Sequence, residues 1–418
     1  MHNLTTKPQK KVRVAYIGLN RDATHVMNDA KINFAEIIAV CDLRFDRAES
    51  MADCVAKEGR PRPTVYSGTE EIWEKMVERD DIDVVYISTP WRWHTPMVLR
   101  ALERGKHAFV EVSAIVTVED AWRIVDTSER TQRHCVMLEN CCYGENELFV
   151  LNLARQGVLG ELTHAECAYI HDLRGLLYDL GGEGGWRREY HKQYNGNFYP
   201  THGLGPVAQY LGINRGDLFS HVVSMSSPEK GLSAWRAKHN PNGGKQANEQ
   251  YVCGDMNTSL IKTALGRIIM IQHDVISLRL YSRINALSGT GGTFFDYPAR
   301  LAINEPKAHG LDAEGSHTWL SDKDLKAMRD KFTHPLWAKL RDLAKNGGHG
   351  GMDFVMNWRH FDCIRQGITP DSVVYDAAAW SSMLELSSWS VENGSMPITV
   401  PDFTRGAWKT VPPLGVVT

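Results

Sequence analysis

A chain of 418 residues exceeds one ordinary hydrophobic core, so its length predicts two or three domains. Its 43% apolar and 23% charged residues are the balance of a globular protein in water, and no apolar run approaches the ~20 residues of a membrane helix. The 47 basic and 50 acidic side chains, net −3, are well mixed, which excludes the basic patch of a nucleic-acid binder and the acidic tail of a basic partner's ligand.

The first 140 residues alternate two patterns. Val12–Ile17, Ala35–Val40, Val84–Thr89, His107–Val112 and Val136–Leu138 are short, continuous apolar runs, as expected for strands buried on both faces of a parallel sheet. Between them Glu70–Arg79, His94–Arg104 and Val118–Arg130 carry helical periodicity, and Gly105 sits where a helix C-cap belongs. This alternation predicts a doubly wound α/β domain over residues 1–140.

The pattern then changes. A helix over Glu147–Arg155 leads into a strand over Leu162–Ile170 and a long Gly- and Tyr-rich loop, Gly181–Tyr199. Strands are expected at Ser259–Thr263, Ile268–His273 and Ser288–Phe295, and helices at Met352–Arg365 and Asp376–Ser388. Clustered strands flanked by helices predict a second, α+β domain on an antiparallel sheet over residues 141–418.

Several strand ends carry unusual residues. Gly18-Leu19-Asn20-Arg21-Asp22-Ala23 occupies the place of a phosphate-binding GxGxxG loop. Only its first glycine is present; Asn20 tolerates a left-handed backbone and Ala23 is small enough for close packing. Asp42 ends the second run 24 residues after Gly18, close to the spacing of an acid that binds an adenosine ribose. Thr89-Pro90-Trp91-Arg92-Trp93-His94 and Glu111-Val112-Ser113 end two more strands, where ligands of open α/β sheets bind. Trp91 and Trp93 fit plain core positions equally well.

In the second half, Tyr199-Pro200-Thr201-His202-Gly203 places a phenol, a hydroxyl and an imidazole within four residues. Both Tyr and His are usable acid–base groups, and both also serve as packing residues. Gly347-Gly348-His349-Gly350-Gly351-Met352-Asp353 reads as a loop opening a helix, and Gly289-Thr290-Gly291-Gly292 as a hairpin turn. No Ser-His-Asp or metal-ligand spacing is apparent, and the eight cysteines form no CxxC pair. Reduced thiols and a polar start, Met1 to Lys11, favour a cytoplasmic protein, the alternative being an exported one that simply lacks disulfides.

Taken together, Glu139-Asn140-Cys141-Cys142-Tyr143-Gly144, Ala168-Tyr169-Ile170-His171-Asp172-Leu173-Arg174, Tyr199–Pro206 and Gly347–Asp353 resemble the NAD-dependent glycosidases of glycoside hydrolase family 109. That family belongs to the glucose-fructose oxidoreductase and inositol dehydrogenase superfamily, and the similarity runs from about Lys11 to Arg405. The resemblance implies a Rossmann domain holding NAD that is recycled within each turnover. Transient oxidation at the sugar C3 would acidify the C2 proton, whose loss expels the glycosidic oxygen; water addition and re-reduction finish the cycle. The family's activity is removal of terminal N-acetylgalactosamine, chiefly α-linked. Carried over by position, Asn20, Arg21, Asp42, Trp91, Arg92, Trp93, His94, Glu111, Val112 and Asn140 look like cofactor contacts. Tyr169, Arg187, Tyr199, Pro200, Thr201, His202 and Tyr281 look like substrate contacts, with Tyr199 also near the nicotinamide and Tyr199 and His202 sharing the proton transfers.

Dehydrogenase relatives commonly carry Glu-Lys-Pro where this chain has Glu111-Val112-Ser113, and valine cannot move a proton. The rival readings are an NAD(P)-dependent sugar dehydrogenase and a non-catalytic NAD or sugar sensor on the same fold. The partner expected is a small glycoside or glycan, with neither nucleic acid nor membrane, and a sheet face of the second domain offers a surface for a homodimer.

Overall fold

The structure is a computed structural model that describes residues 1–19, 23–179, 182–239, 246–313 and 317–416. It forms two compact units. The first comprises Met1–Gly144 and Leu336–Ser381, the second Glu145–Pro335 and Ser382–Thr418. The expected boundary after residue 140 falls close to the first crossing, and the chain later returns to the first unit for Leu336–Ser381.

In the first unit, β1 (Val12–Ile17), β2 (Ala35–Cys41), β3 (Thr64–Tyr66), β4 (Val84–Ile87), β5 (His107–Val110) and β6 (Cys135–Met137) make one sheet. All neighbouring pairs are parallel, in the order β3-β2-β1-β4-β5-β6. Every residue of β4 and β5 is buried, as continuous apolar runs require when helices cover both faces. Helix Val118–Thr131 starts where Thr117 accepts a hydrogen bond from the Asp120 N–H at 3.2 Å. The returning helix Met352–Gln366 completes this core: Phe361 stacks on Phe109 of β5 with ring centroids 5.4 Å apart. Cys41 and Cys135 are buried packing residues, and burial pushes their thiols up to about 12.

The second unit is built on β7 (Leu162–Ile170), β8 (Phe219–Ser226), β9 (Asn257–Thr263), β10 (Ile268–Asp274), β11 (Ala286–Gly289), β12 (Gly292–Phe295), β13 (Arg300–Ile303) and β14 (Ile398–Thr399). Their order is β13-β12-β11-β7-β10-β9-β8-β14. β7 and β10 pair in parallel; every other pair is antiparallel. The structure thus bears out an α/β nucleotide-type sheet followed by a mixed, mostly antiparallel one.

Three expectations need correction. Gly181–Tyr199 is not one loop, because Gly184–Gln193 is helical. Gly184 and Gly185 are its first two residues, where they leave the helix interior intact. Ser288–Phe295 is two strands, since β11 and β12 turn back on each other between Gly289 and Gly292. Asp376–Ser388 divides into helices Val374–Ser381 and Met383–Glu392, which belong to different units. Among the described residues no helix is long and apolar enough to cross a membrane.

Candidate active site

The nucleotide side is built where β1 turns at Gly18, with φ +87°. A Cβ on Gly18 would stand 2.1 Å from the Ser88 carbonyl oxygen, so only glycine fits where the ends of β1 and β4 meet. This is where the strand order reverses, the place at which open α/β sheets hold their ligands. Asn20 and Arg21 lie outside the described residues.

Asp42, just after β2, is buried. Its Oδ2 accepts from the Leu19 N–H and its Oδ1 from the Arg44 N–H, both at 2.9 Å. Each oxygen retains a second lone pair, enough to accept from ribose hydroxyls. The Arg44 guanidinium is paired to Asp46, Nη2 to Oδ2 at 2.5 Å and Nε to Oδ1 at 3.1 Å.

After β4, the Trp91 indole donates to the Val112 carbonyl at 3.1 Å. His94 faces the Thr89 carbonyl with Nε2 at 2.7 Å and the Ser113 carbonyl with Nδ1 at 2.8 Å. Burial outweighs the pull of these carbonyls and pushes the His94 pKa down to about 4. Trp91 and His94 therefore tie the loop after β4 to the loop after β5. Trp93 is half-buried, and the exposed Arg92 lies 5.7 Å from its ring and 3.3 Å from Glu70.

Glu111, half-buried, accepts from the Tyr86 hydroxyl at 3.3 Å and stands 4.0 Å from His25 Nε2. Asn140 Nδ2 donates to Asp353 Oδ1 at 2.6 Å, while His349 Nδ1 is 2.7 Å from Asp353 Oδ2. Burial opposes ionisation of Asp353, but His349, His25 and Asn140 together hold its carboxyl below the usual range. Asp29 accepts from the Tyr16 hydroxyl and, at 3.0 Å, from Asn357; burial pushes it up to about 7. This buried polar group, His25 and Asp29 with Tyr16, Tyr86 and Asn357, was not legible in the sequence, because its members come from separate strands and helices.

The residues fit a dinucleotide. Gly18 provides a close backbone approach, Asp42 an acceptor pair, and Glu111 and Asn140 fixed polar groups. We expect NAD in near-stoichiometric amount in denatured, freshly purified protein. Asp42 would repel a 2′-phosphate, and Arg44 is already committed to Asp46. Asp42→Asn should therefore raise NADP binding relative to NAD by about tenfold or more, a change of 1.4 kcal/mol per decade. Fluorescence titration with both nucleotides checks this; unchanged selectivity would remove Asp42 from the site.

The residues expected to contact substrate gather on β7 and the helix Thr201–Leu211. A Cβ on Gly203 would approach the Ala168 backbone nitrogen to 2.6 Å, so glycine lets the helix lie directly on β7. Tyr169 follows Ala168, and three of the expected residues converge there. Its ring stacks on Tyr199 at 4.7 Å and meets His202 edge-on at 5.3 Å, while Tyr199 and His202 are 4.8 Å apart. Tyr199 is buried and His202 half-buried. The Arg187 guanidinium lies 4.9 Å from the Tyr199 ring, with Nη2 3.5 Å from its hydroxyl, and pairs with Glu183 at 2.7 Å.

Pro200 is the N-cap residue of the helix, and Thr201 is fully buried in its first turn. Tyr281 joins through His171, whose ring it meets at 5.1 Å and whose Nδ1 is 3.0 Å from the Tyr169 hydroxyl. Arg283 donates to the Tyr281 hydroxyl at 3.0 Å and to Glu147 at 2.5 Å. His171 was identifiable from its period-two spacing after Tyr169. Arg283 and His273 carried no such signal. His273 stacks 6.5 Å from Tyr169, and burial pushes its pKa down to about 3, which keeps it neutral.

Residues 143–410 match the model described as the glycosyl hydrolase 109 C-terminal domain, and residues 12–139 match the oxidoreductase family with the NAD-binding Rossmann fold. A glycosyl hydrolase family 109 protein from Shewanella sp. (strain W3-18-1) is 49% identical over 97% of this chain and 88% of its own. The fold is shared with an NAD-binding oxidoreductase from Klebsiella pneumoniae, with TM-score 0.67 and 15% identity over 94% of this chain and 100% of that one. It is shared too with levoglucosan dehydrogenase in complex with NADH and L-sorbose, with TM-score 0.66 and 16% identity over 94% and 100%. The chain belongs to glycosyl hydrolase family 109, and it is a glycosidase with NAD as its cofactor.

Proposed function

We propose that the enzyme removes terminal N-acetylhexosamine, above all α-linked N-acetylgalactosamine, from a small glycoside or glycan by a redox-neutral route. The observation that carries this reading is the pair Tyr199 and His202, two proton-carrying rings 4.8 Å apart, beside the Tyr169 ring and the Arg187 guanidinium. NAD, which Gly18, Asp42, Glu111 and Asn140 would hold, would supply a hydride acceptor and donor for the sugar C3.

The chain's own residues orient the sugar and move protons. Arg187 and Tyr281, the latter held by Arg283, offer donors to hydroxyl and acetamide oxygens. With C3 at the ketone level the C2 proton becomes acidic, and a base must take it. Its departure expels the glycosidic oxygen from C1, water adds there, and C2 is reprotonated. Tyr199 and His202 are the two groups that exchange protons with C2 and with the C3 hydroxyl. Val112, buried and apolar, offers no proton carrier at the end of β5, which leaves both transfers to the sugar side.

The route breaks the C2–H bond, which a hydrolase using two carboxylates never does. Hydrolysis in heavy water should give product with deuterium at C2, and a substrate deuterated at C3 should keep its label. Cleavage without C2 exchange and without an isotope effect at either carbon would sink the mechanism. A chromogenic panel covering both anomers of galactosamine and glucosamine derivatives, run without added NAD, reads the sugar specificity.

A further inference from the structure

The glycine-rich segment Gly347–Asp353 wraps one buried carboxylate, that of Asp353 in the first turn of the helix Met352–Gln366. A Cβ on Gly348 would press on Asp353 Oδ2, so the loop can close over the carboxyl group only as glycine. His349, held at φ +43°, brings its Nδ1 to 2.7 Å from the same oxygen, and His25 Nε2 stands 3.8 Å from it. The other oxygen, Oδ1, accepts from Asn140 Nδ2 at 2.6 Å. Burying a charge is costly, and an apolar residue would serve helix packing alone.

Burial opposes ionisation of Asp353, yet His349, His25 and Asn140 hold its carboxyl below the usual range, so at neutral pH it only accepts. An acceptor meets a carboxamide at its NH2 end. The bond to Asp353 therefore decides which way Asn140 is turned, and it leaves Asn140 Oδ1 as the atom with acceptor capacity. That oxygen faces one weak donor, Cys141 Sγ at 3.5 Å, and keeps a second lone pair. The same helix fastens this turn again: two turns after Asp353, His360 Nε2 stands 3.2 Å from the Tyr143 hydroxyl. Asn140 is half-buried, just after β6. In a doubly wound sheet each half takes one mononucleotide. Asp42, after β2, lies in the adenosine half, and Asn140 lies across the switch point in the nicotinamide half.

We propose that Asp353 is a positioning residue for the cofactor: by holding the Asn140 NH2 group it presents the Asn140 carbonyl oxygen to a donor of the nicotinamide riboside. That donor is a ribose hydroxyl or the carboxamide NH2. The proposal rests on the assignment of Asn140 to NAD.

Nucleotide-free enzyme is titrated with NADH, with ADP-ribose and with ADP, which keeps only the adenosine and the diphosphate. Asp353→Asn preserves size but lets the two carboxamides pair either way round. It should weaken NADH about tenfold, the scale of one lost hydrogen bond, and leave ADP unchanged. His349→Ala removes an exposed partner of Asp353 and should act in the same direction by a smaller factor, with the fold intact. ADP-ribose tells the two donors apart: it weakens with NADH if the ribose hydroxyl is the donor and behaves like ADP if the carboxamide is. Because Asp353 acts through Asn140, the double variant Asp353→Asn/Asn140→Ala should bind NADH no more weakly than Asn140→Ala alone. Losses that add in the double variant overturn the positioning role, as do equal losses of NADH and ADP or wild-type NADH affinity in Asp353→Asn. If Asn140→Ala itself binds NADH as the wild type does, the assignment of Asn140 to the cofactor fails, and the proposal with it.

Discussion

Replacing Tyr199 by phenylalanine should slow glycoside hydrolysis by about 10²–10⁴-fold, the range of a single acid–base group, while leaving the protein folded. The change removes one oxygen and keeps the ring that stacks on Tyr169 at 4.7 Å. It also removes the hydroxyl that stands 3.5 Å from Arg187 Nη2. A guanidinium at that distance stabilises negative charge developing on neighbouring oxygens as protons move, so the loss belongs in kcat more than in KM. His202→Ala should fall in the same range, and the double variant should cost less than the product of the two if both serve one proton path. Steady-state rates with melting curves for each variant check this. Wild-type rates from both single variants would return Tyr199 and His202 to packing roles.

The second large effect is at Gly18. Gly18→Ala puts a methyl group 2.1 Å from the Ser88 carbonyl oxygen, and it does so at φ +87°, a conformation costing an L-residue about 1–2 kcal/mol before any clash. The surroundings cannot easily yield: the Gly18 N–H donates to the Cys41 carbonyl at 2.9 Å and the Ser88 N–H to the Ile17 carbonyl at 2.8 Å. The ends of β1 and β4 must part, and the nucleotide platform parts with them. We expect purified Gly18→Ala protein to carry little NAD and to melt several degrees below wild type. Wild-type NAD content and melting temperature together would show that this strand end is not part of the cofactor site.

The nucleotide sheet was readable because its strands are buried on both sides. Val12–Ile17 matches its expected range, and the other anticipated strands differ by a few residues. β3 escaped, since three residues at a sheet edge leave no periodic trace. In the second unit Leu162–Ile170 was clear, whereas the helix Gly184–Gln193 was hidden by the glycines at its start and the tyrosines along it. Tyr199 and His202 were visible as a short motif; the geometry that joins them to Tyr169 was not. It depends on a backbone-to-backbone approach at Gly203 and Ala168, which no local pattern announces. The buried partnership of His25, Asp29, Asn357 and Asp353 spans more than 300 residues of sequence and was equally silent.

The return of Leu336–Ser381 to the first unit imposes an order on synthesis. Phe109 has no Phe361 to stack on, and Asn140 no Asp353 to hold, until the ribosome has passed those late positions. The nascent nucleotide unit therefore waits, with part of its sheet uncovered, while the whole 145–335 segment is made. A protein assembled this way cannot exchange its nucleotide half as a cassette at one splice point, because each unit is interrupted by the other. Chaperone dependence should accordingly be greatest for chains stalled between Gly144 and Leu336, and a gene truncated near residue 144 should yield an aggregating fragment in place of a free-standing nucleotide domain.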